Sequence, residues 1–252
     1  DPHVPLRPTP AMLVPYADVE DPVARAYFAV VTNMDREVGR LMARLDALGL
    51  RENTLVVFTS DNGTPYPVNS MTTVEDPFRV GFADTHGSNG PLRGWKWHLY
   101  EGGIRAPLIA RWPGRVPAGR VDTTSVLHAT DFMPTLGHLA EGDLPAGYQA
   151  DGLDISDAFS GKPFDRPQPI FWHHPTDNRR GPSLAIRDGN WKLLMERDGS
   201  EAHLFDLSGD ESELRDLSRE FPDVVETLRG KLQHWQQSLP PPLDRNYVEP
   251  TL

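Results

Sequence analysis

Cysteine is absent from the 252 residues. That excludes a disulfide framework, a thiolate metal site and a cysteine nucleophile within this chain, and leaves the redox compartment open. Lysine is scarce, confined to Lys96, Lys162, Lys192 and Lys231, so arginine supplies most of the positive charge. Even so, 25 basic residues face 36 acidic ones, a formal net charge of −11. Nucleic-acid binding relies on clustered basic residues against phosphate, so an acidic balance argues against it. No apolar run approaches the roughly 20 residues that a membrane-spanning helix needs. The chain is long enough to bury a sizeable core as one large or two modest domains.

Proline opens the chain. Residues 1–20, DPHVPLRPTPAMLVPYADVE, read as an irregular segment, because proline fits neither a helix interior nor a central strand. A long amphipathic helix is expected from about Asp21 to Leu48. Val31, Met34, Val38, Leu41, Leu45 and Leu48 alternate spacings of three and four. Asp21 suits its N-cap, Pro22 its first turn and Gly49 its exit. Thr54–Ser60 is a short β-branched apolar run, the pattern of a strand buried on both faces. Helix, glycine turn and buried strand together make half of a βαβ unit. Residues 62–94 form a long loop, of the kind that is usually functional or disordered. A second strand is expected in Ala106–Gly114 and a helix from about Thr130 or Asp131. Beyond about Pro169, short β-prone runs separated by Asp188-Gly189 and Asp198-Gly199 predict antiparallel hairpins. A closing helix over about Pro222–Ser238 presents Val225, Leu228, Leu232 and Trp235 on one face.

The strand end Ser60-Asp61-Asn62-Gly63 admits two readings. Asp-Asn-Gly is strong turn chemistry. Asp61 and Asn62 also offer two hard oxygens to a cation, at the carboxyl end of a strand where α/β sheets bind ligands.

Four stretches stand out together: DPHVP (1–5), SDNG (60–63), HGSNGPLRGWKWHLYEGGIRAPLIARWPG (86–114), and IRDGNWKLL (186–194) with HLFDL (203–207). In that order and spacing the chain resembles the sulfatase family, the arylsulfatase-like branch of the alkaline phosphatase superfamily. The resemblance implies an α/β catalytic fold, a mixed or parallel sheet flanked by helices, followed by a small antiparallel C-terminal sheet with a packed helix. The corresponding domains are expected at 1–165 and 166–252. It implies that Asp61 and Asn62 ligate calcium, with magnesium as the alternative, that His3 touches the sulfate or the leaving oxygen, and that Lys96 touches the sulfate. The substrate it implies is an aryl or carbohydrate sulfate ester, and the compartment periplasmic, secreted or lysosomal. His86, Trp97, His173 and His174 are candidate substrate contacts. Glu101, Gly102, Gly103 and Arg105 read as structural, and His98, His128, His138, His203 and His234 as structural or surface.

The family's nucleophile is a formylglycine made from Cys or Ser in a Cys/Ser-x-Pro/Ala-x-Arg motif. With no Cys, and with neither a Ser-x-Pro-x-Arg nor a Ser-x-Ala-x-Arg run expected, this motif is expected to lie outside the chain. Two oxygens also fall short of the six to eight that calcium takes. The chain is therefore expected to be the C-terminal part of a sulfatase, with an N-terminal half supplied as a second polypeptide or the exposed surface covered by self-association. Two rival readings stand beside sulfate ester hydrolysis: phosphate or phosphonate ester hydrolysis within the same superfamily, and a non-catalytic sulfate- or glycan-binding remnant.

Overall fold

The computed structural model describes residues 3, 6–65, 86–142, 145–174 and 181–240. Most of the long loop expected over 62–94, part of FWHHPTDNRR and the proline-rich tail lie outside the described residues. The chain divides into two compact units, Asp1–Pro167 and Gln168–Leu252.

In the first unit, α1 (Pro10–Leu13) leads into α2 (Pro22–Ala47). Asp21 caps α2, its carboxylate accepting from the amides of Val23 at 2.8 Å and Ala24 at 3.3 Å. The helix ends where expected. Leu50 N–H reaches back to Leu45 C=O at 3.0 Å, and Gly49 takes the left-handed backbone that this exit requires. Its buried residues are not those expected. Ala24, Ala26, Ala29 and Val30 are buried, with Leu6 packed on Ala26 and Val30. The stripe from Val31 to Leu48 is half-buried or exposed, Leu41 at 55% and Leu48 at 51%. Small alanines let the preceding segment approach closely at the first turns. Among the described residues, the principal packing partners of α2 are α1 and the turn Val14–Tyr16.

Strand β1 (Val56–Thr59) pairs with β2 (Leu108–Arg111). The pairing is antiparallel, Val56 opposite Arg111 and Thr59 opposite Leu108. Among the described residues this sheet has two strands. Neither the parallel pairing nor the two-sided burial expected for β1 is found in them. Phe58 is 37% exposed and Ile109 62%. An apolar run reports a strand that tolerates burial; it does not encode its neighbour's direction or presence. Between the strands, α3 (Glu101–Ile104) is a single buried turn. Beyond them, the turn Ala129–Asp131 opens α4 (Phe132–Leu139), and α5 (Ser156–Phe159) follows. Buried Asp131 holds this region together. Arg166 donates to its two oxygens at 2.8 and 2.7 Å, and the amides of His128 and Leu153 add bonds at 2.7 and 2.9 Å. This bidentate geometry is the strong form of a charge-assisted hydrogen bond.

The second unit is a four-stranded antiparallel meander covered by a helix. Its strands are β3 (Ile170–His173), β4 (Leu184–Asp188), β5 (Trp191–Met195) and β6 (His203–Asp206), in that order across the sheet. Helix α6 (Pro222–Ser238) packs on β4 and β5. Leu184, Ile186, Leu193, Met195 and Leu204 meet Val225, Leu228 and Leu232 in one core. Each buried aliphatic contributes roughly 1.5–3 kcal/mol. Trp235 stacks on Phe171 with ring centroids 5.0 Å apart. Gly189 and Gly199 take positive φ angles at the β4–β5 and β5–β6 connections. The opposite sheet face is buried as well: Ala185, Lys192, Leu194 and Phe205 are fully enclosed. Lys192 Nζ lies 2.8 Å from Glu213, and neither side chain is exposed.

Candidate active site

Strand β1 delivers Ser60, Asp61, Asn62 and Gly63 to one side of an open cleft of about 730 Å³ in the first unit. Ser60 Oγ donates to Asn62 C=O at 2.9 Å, and Asn62 Nδ2 donates to Gly63 C=O at 3.0 Å. With its amide nitrogen so engaged, Asn62 keeps Oδ1 for a ligand. The Asp61 carboxylate accepts no hydrogen bond from a described residue.

Gly63 N–H donates to Gly103 C=O at 2.9 Å, which seats the strand end against α3. The seat is tight. A β-carbon on Gly63 would stand 1.8 Å from the Gly102 carbonyl oxygen, and one on Gly102 would stand 2.4 Å from that of Gly94. This close backbone approach confirms the structural reading of Gly102, whose neighbour Glu101 is buried. Arg105 departs from the reading in part: it lines the cleft.

The loop carrying Lys96 also lines the cleft. Lys96 N–H donates to Thr64 C=O at 2.9 Å, fixing the loop to the residue that follows Gly63. Its side chain turns to His3, with Nζ and Nε2 3.0 Å apart, and lies 5.6 Å from the Trp97 ring centre. Trp97 itself has φ +78°, unusual for a bulky residue, inside a turn closed by His98 N–H on Trp95 C=O at 2.8 Å. His3, Asp61, Asn62 and Lys96 thus line one cleft.

The other candidates disperse. His86 points its Nε2 at Asp21, 3.1 Å away at the α2 N-cap, while the following residues Gly87 and Ser88 line the cleft. His173 lies in β3 and His174 just beyond it, in the second unit. Arg197 Nε donates to His173 Nε2 at 2.9 Å. Burial first, then the charge of Arg197 and the neighbouring His174, lowers the His173 pKa. Burial likewise lowers that of His128, against the opposing field of Asp131.

Tyr27 and Asn89 also line the cleft and were not expected there. Tyr27 heads the same helical stripe as Val31 and Met34, a spacing that speaks of packing. Asn89, inside Ser-Asn-Gly, carries the signal of a turn.

One sequence expectation needs correction. A Ser-x-Ala-x-Arg run does occur, Ser183-Leu184-Ala185-Ile186-Arg187. Its last four residues open β4, and Ser183, just before the strand, is buried with its Oγ donating to Glu196 at 2.9 Å. A hydroxyl tied off beside a central strand is poorly placed for attack on a substrate.

Asp61 and Asn62 suit a hard divalent cation, but they are two donors of the six to eight that calcium takes. Among the described residues no group of three or more His, Asp or Glu could hold a metal ion. The donor set fits such a cation in kind and is incomplete in number.

A profile of the sulfatase family matches residues 1–142, and one of the C-terminal region of N-sulphoglucosamine sulphohydrolase matches residues 93–238. Arylsulfatase G of Mus musculus is 36% identical over 185 residues, covering 73% of this chain and 33% of that protein. Mouse steryl-sulfatase is 41% identical over 138 residues, covering 54% of this chain and 20% of that one. Among solved structures, Ps i-CgsB superposes with a TM-score of 0.74 at 28% identity, covering 93% of this chain and 48% of that one. The chain thus spans about a third of arylsulfatase G and about half of Ps i-CgsB. With a profile matched over more than half of its residues, and the strand-end and lysine-loop motifs brought together in one cleft, the chain belongs to the sulfatase family.

Proposed function

We propose that this chain contributes half of the active site of a sulfuric ester hydrolase, acting on aryl or carbohydrate sulfate monoesters. The observation that carries the reading is the convergence of Lys96 and His3, 3.0 Å apart, in the cleft that also receives Asp61 and Asn62. As a sulfate ester cleaves, negative charge moves toward the bridging oxygen, and preorganised donors aimed there are the largest catalytic term available. Lys96 presents a compact charge with three donors to the sulfate oxygens. An anionic ester drawn to Lys96 competes for those donors and releases His3 Nε2, which then takes up a proton from solvent and hands it to the departing oxygen. Asp61 and Asn62 hold part of the coordination shell of calcium or magnesium, which when bound would neutralise a non-bridging oxygen. Carbohydrate sulfates gain support from a relative: Ps i-CgsB, 27% identical, has been solved with k-i-k-neocarrahexaose.

The nucleophile, a formylglycine by family resemblance, comes from outside this chain. No Cys is present, and the one Ser-x-Ala-x-Arg run is sealed in the second unit. By itself the chain is therefore inactive, because the covalent step lacks its nucleophile. Exposed apolar residues on β1 and β2 support a partner polypeptide carrying the N-terminal half.

Turnover of 4-nitrophenyl sulfate and 4-nitrophenyl phosphate by the chain, with and without a nucleophile-bearing N-terminal half, tests the reading. Sulfate turnover in the combined preparation alone is the expected result. A large preference for phosphate moves the assignment to phosphoryl chemistry. Binding of sulfated glycan with no turnover in the combined preparation leaves a non-catalytic binder.

A further inference from the structure

The carboxamide of Asn89 links the segment after the Asp61–Asn62 strand end to the loop that carries Lys96. Its Oδ1 accepts from Thr64 N–H at 3.0 Å, and its Nδ2 donates to Gly94 C=O at 2.9 Å. Thr64 lies two residues beyond Asn62, and Gly94 two residues before Lys96. Thr64 is bound on both sides, since its own carbonyl accepts from Lys96 N–H at 2.9 Å. Both partners of Asn89 are backbone groups, so the one rotamer the bridge has to hold is that of Asn89 itself.

Asn89 is itself anchored. Leu92 N–H donates to its carbonyl at 3.2 Å, and Ser88 Oγ accepts from Gly90 N–H at 3.1 Å. The side chain is half-buried, where an amide left without partners costs about 1–3 kcal/mol. Gly63 leaves room for it: a β-carbon there would approach Asn89 Oδ1 to 3.1 Å.

We propose that Asn89 is a positioning residue whose carboxamide sets the spacing between the Asp61–Asn62 strand end and the Lys96–His3 pair. The proposal rests on the reading of the cleft as a sulfatase site, but its first test needs no turnover. Asparagine suits this role because one planar group presents an acceptor and a donor in opposite senses. Alanine offers neither. Aspartate keeps the acceptor for Thr64 and turns negative charge on the Gly94 carbonyl.

The experiment is NMR on the chain with Asn89→Ala and Asn89→Asp, reading amide exchange at Thr64 and the nuclear Overhauser contact between the His3 ring and the Lys96 side chain. In Asn89→Ala both Thr64 protection and the His3–Lys96 contact are lost, while the signals of β3 to β6 stay in place. In Asn89→Asp Thr64 protection persists and the His3–Lys96 contact weakens. Should Asn89→Ala fail to fold, Asn89→Asp carries the test alone. A His3–Lys96 contact unchanged in the folded variants overturns the proposal, whatever happens to thermal stability. In the enzyme completed by its N-terminal half, kcat falls about 100-fold with KM little changed, the scale of a 1 Å misplacement. A lowered melting temperature with intact kcat also overturns it. If the wild-type enzyme turns over no sulfate ester, the sulfatase reading fails while the NMR result still decides the role of Asn89.

Discussion

Lys96 Nζ and His3 Nε2 stand 3.0 Å apart across 93 positions of sequence. An ammonium has donors only, so in this contact the ring nitrogen accepts. The pair is therefore oriented before any substrate arrives, and preorganisation of this kind is where electrostatic catalysis gains most.

Lys96→Ala should lower kcat/KM of the completed enzyme on the order of 10²–10³-fold, the cost of one oxyanion donor. Lys96→Arg should recover little, because a planar fork replaces a compact point charge. Steady-state kinetics on one aryl sulfate measures both. Near-normal activity in Lys96→Ala would remove this residue from the site.

On the proposed reading, Asp61→Asn keeps the shape of the strand end and removes one negative charge from the shell that would hold a cation. Calcium affinity of the completed enzyme should fall roughly tenfold or more, because ligand charge tunes such sites. Calorimetric titration reads this directly. Turnover should also vanish with a chelator and return with the cation.

Lys192 and Glu213 form an ion pair with no solvent exposure on either side. Removing Lys192 takes the cation away from a fully buried carboxylate, so Lys192→Met should destabilise the second unit by about 3–5 kcal/mol. Urea unfolding followed by the fluorescence of Trp191 and Trp235, both packed against the helix-covered core of the same unit, measures the change. A loss below about 1 kcal/mol would show that the remaining carboxylate finds water or another donor.

Burial alone would raise the pKa of Asp216. The Ser218 amide at 2.9 Å, the His203 ring at 2.9 Å and the Leu204 amide at 3.1 Å outweigh it, and the group falls to about 2. A depressed carboxylate stabilises the fold fully above its ordinary pKa of about 4, and that contribution is lost as pH falls through about 2. Between pH 4 and 2 the wild-type chain should thus lose stability more steeply than Asp216→Asn. Parallel slopes in acid unfolding would contradict this.

Local chemistry was legible in the sequence where one residue type serves one backbone purpose. Asp21, Pro22 and Gly49 marked both ends of α2, and the Asp-Gly pairs marked the hairpins of the second unit. The strand end at Asp61–Asn62 was legible as a motif, and so was the lysine loop. Pairing was not. Nothing in Val56–Thr59 states that its neighbour runs antiparallel, since direction follows from how the intervening 48 residues return. The buried face of α2 was misread for a related reason. Periodicity marks which residues can be buried, and the partner present decides which are: Leu6 selects Ala26 and Val30 over Leu41 and Leu48. Asn89 was hidden because its two bonds go to backbone groups 25 and five residues away, which no side-chain pattern records.

The interlock of Gly63 with Gly102 bears on how this family can drift. Every missense change of a glycine codon adds at least one carbon, and at Gly63 even the smallest would fall 1.8 Å from a carbonyl oxygen. The strand end and α3 therefore cannot vary one at a time. A side chain at Gly63 would need a matching withdrawal of the Gly102 backbone, so the seam beneath the cleft is closed to single-step change.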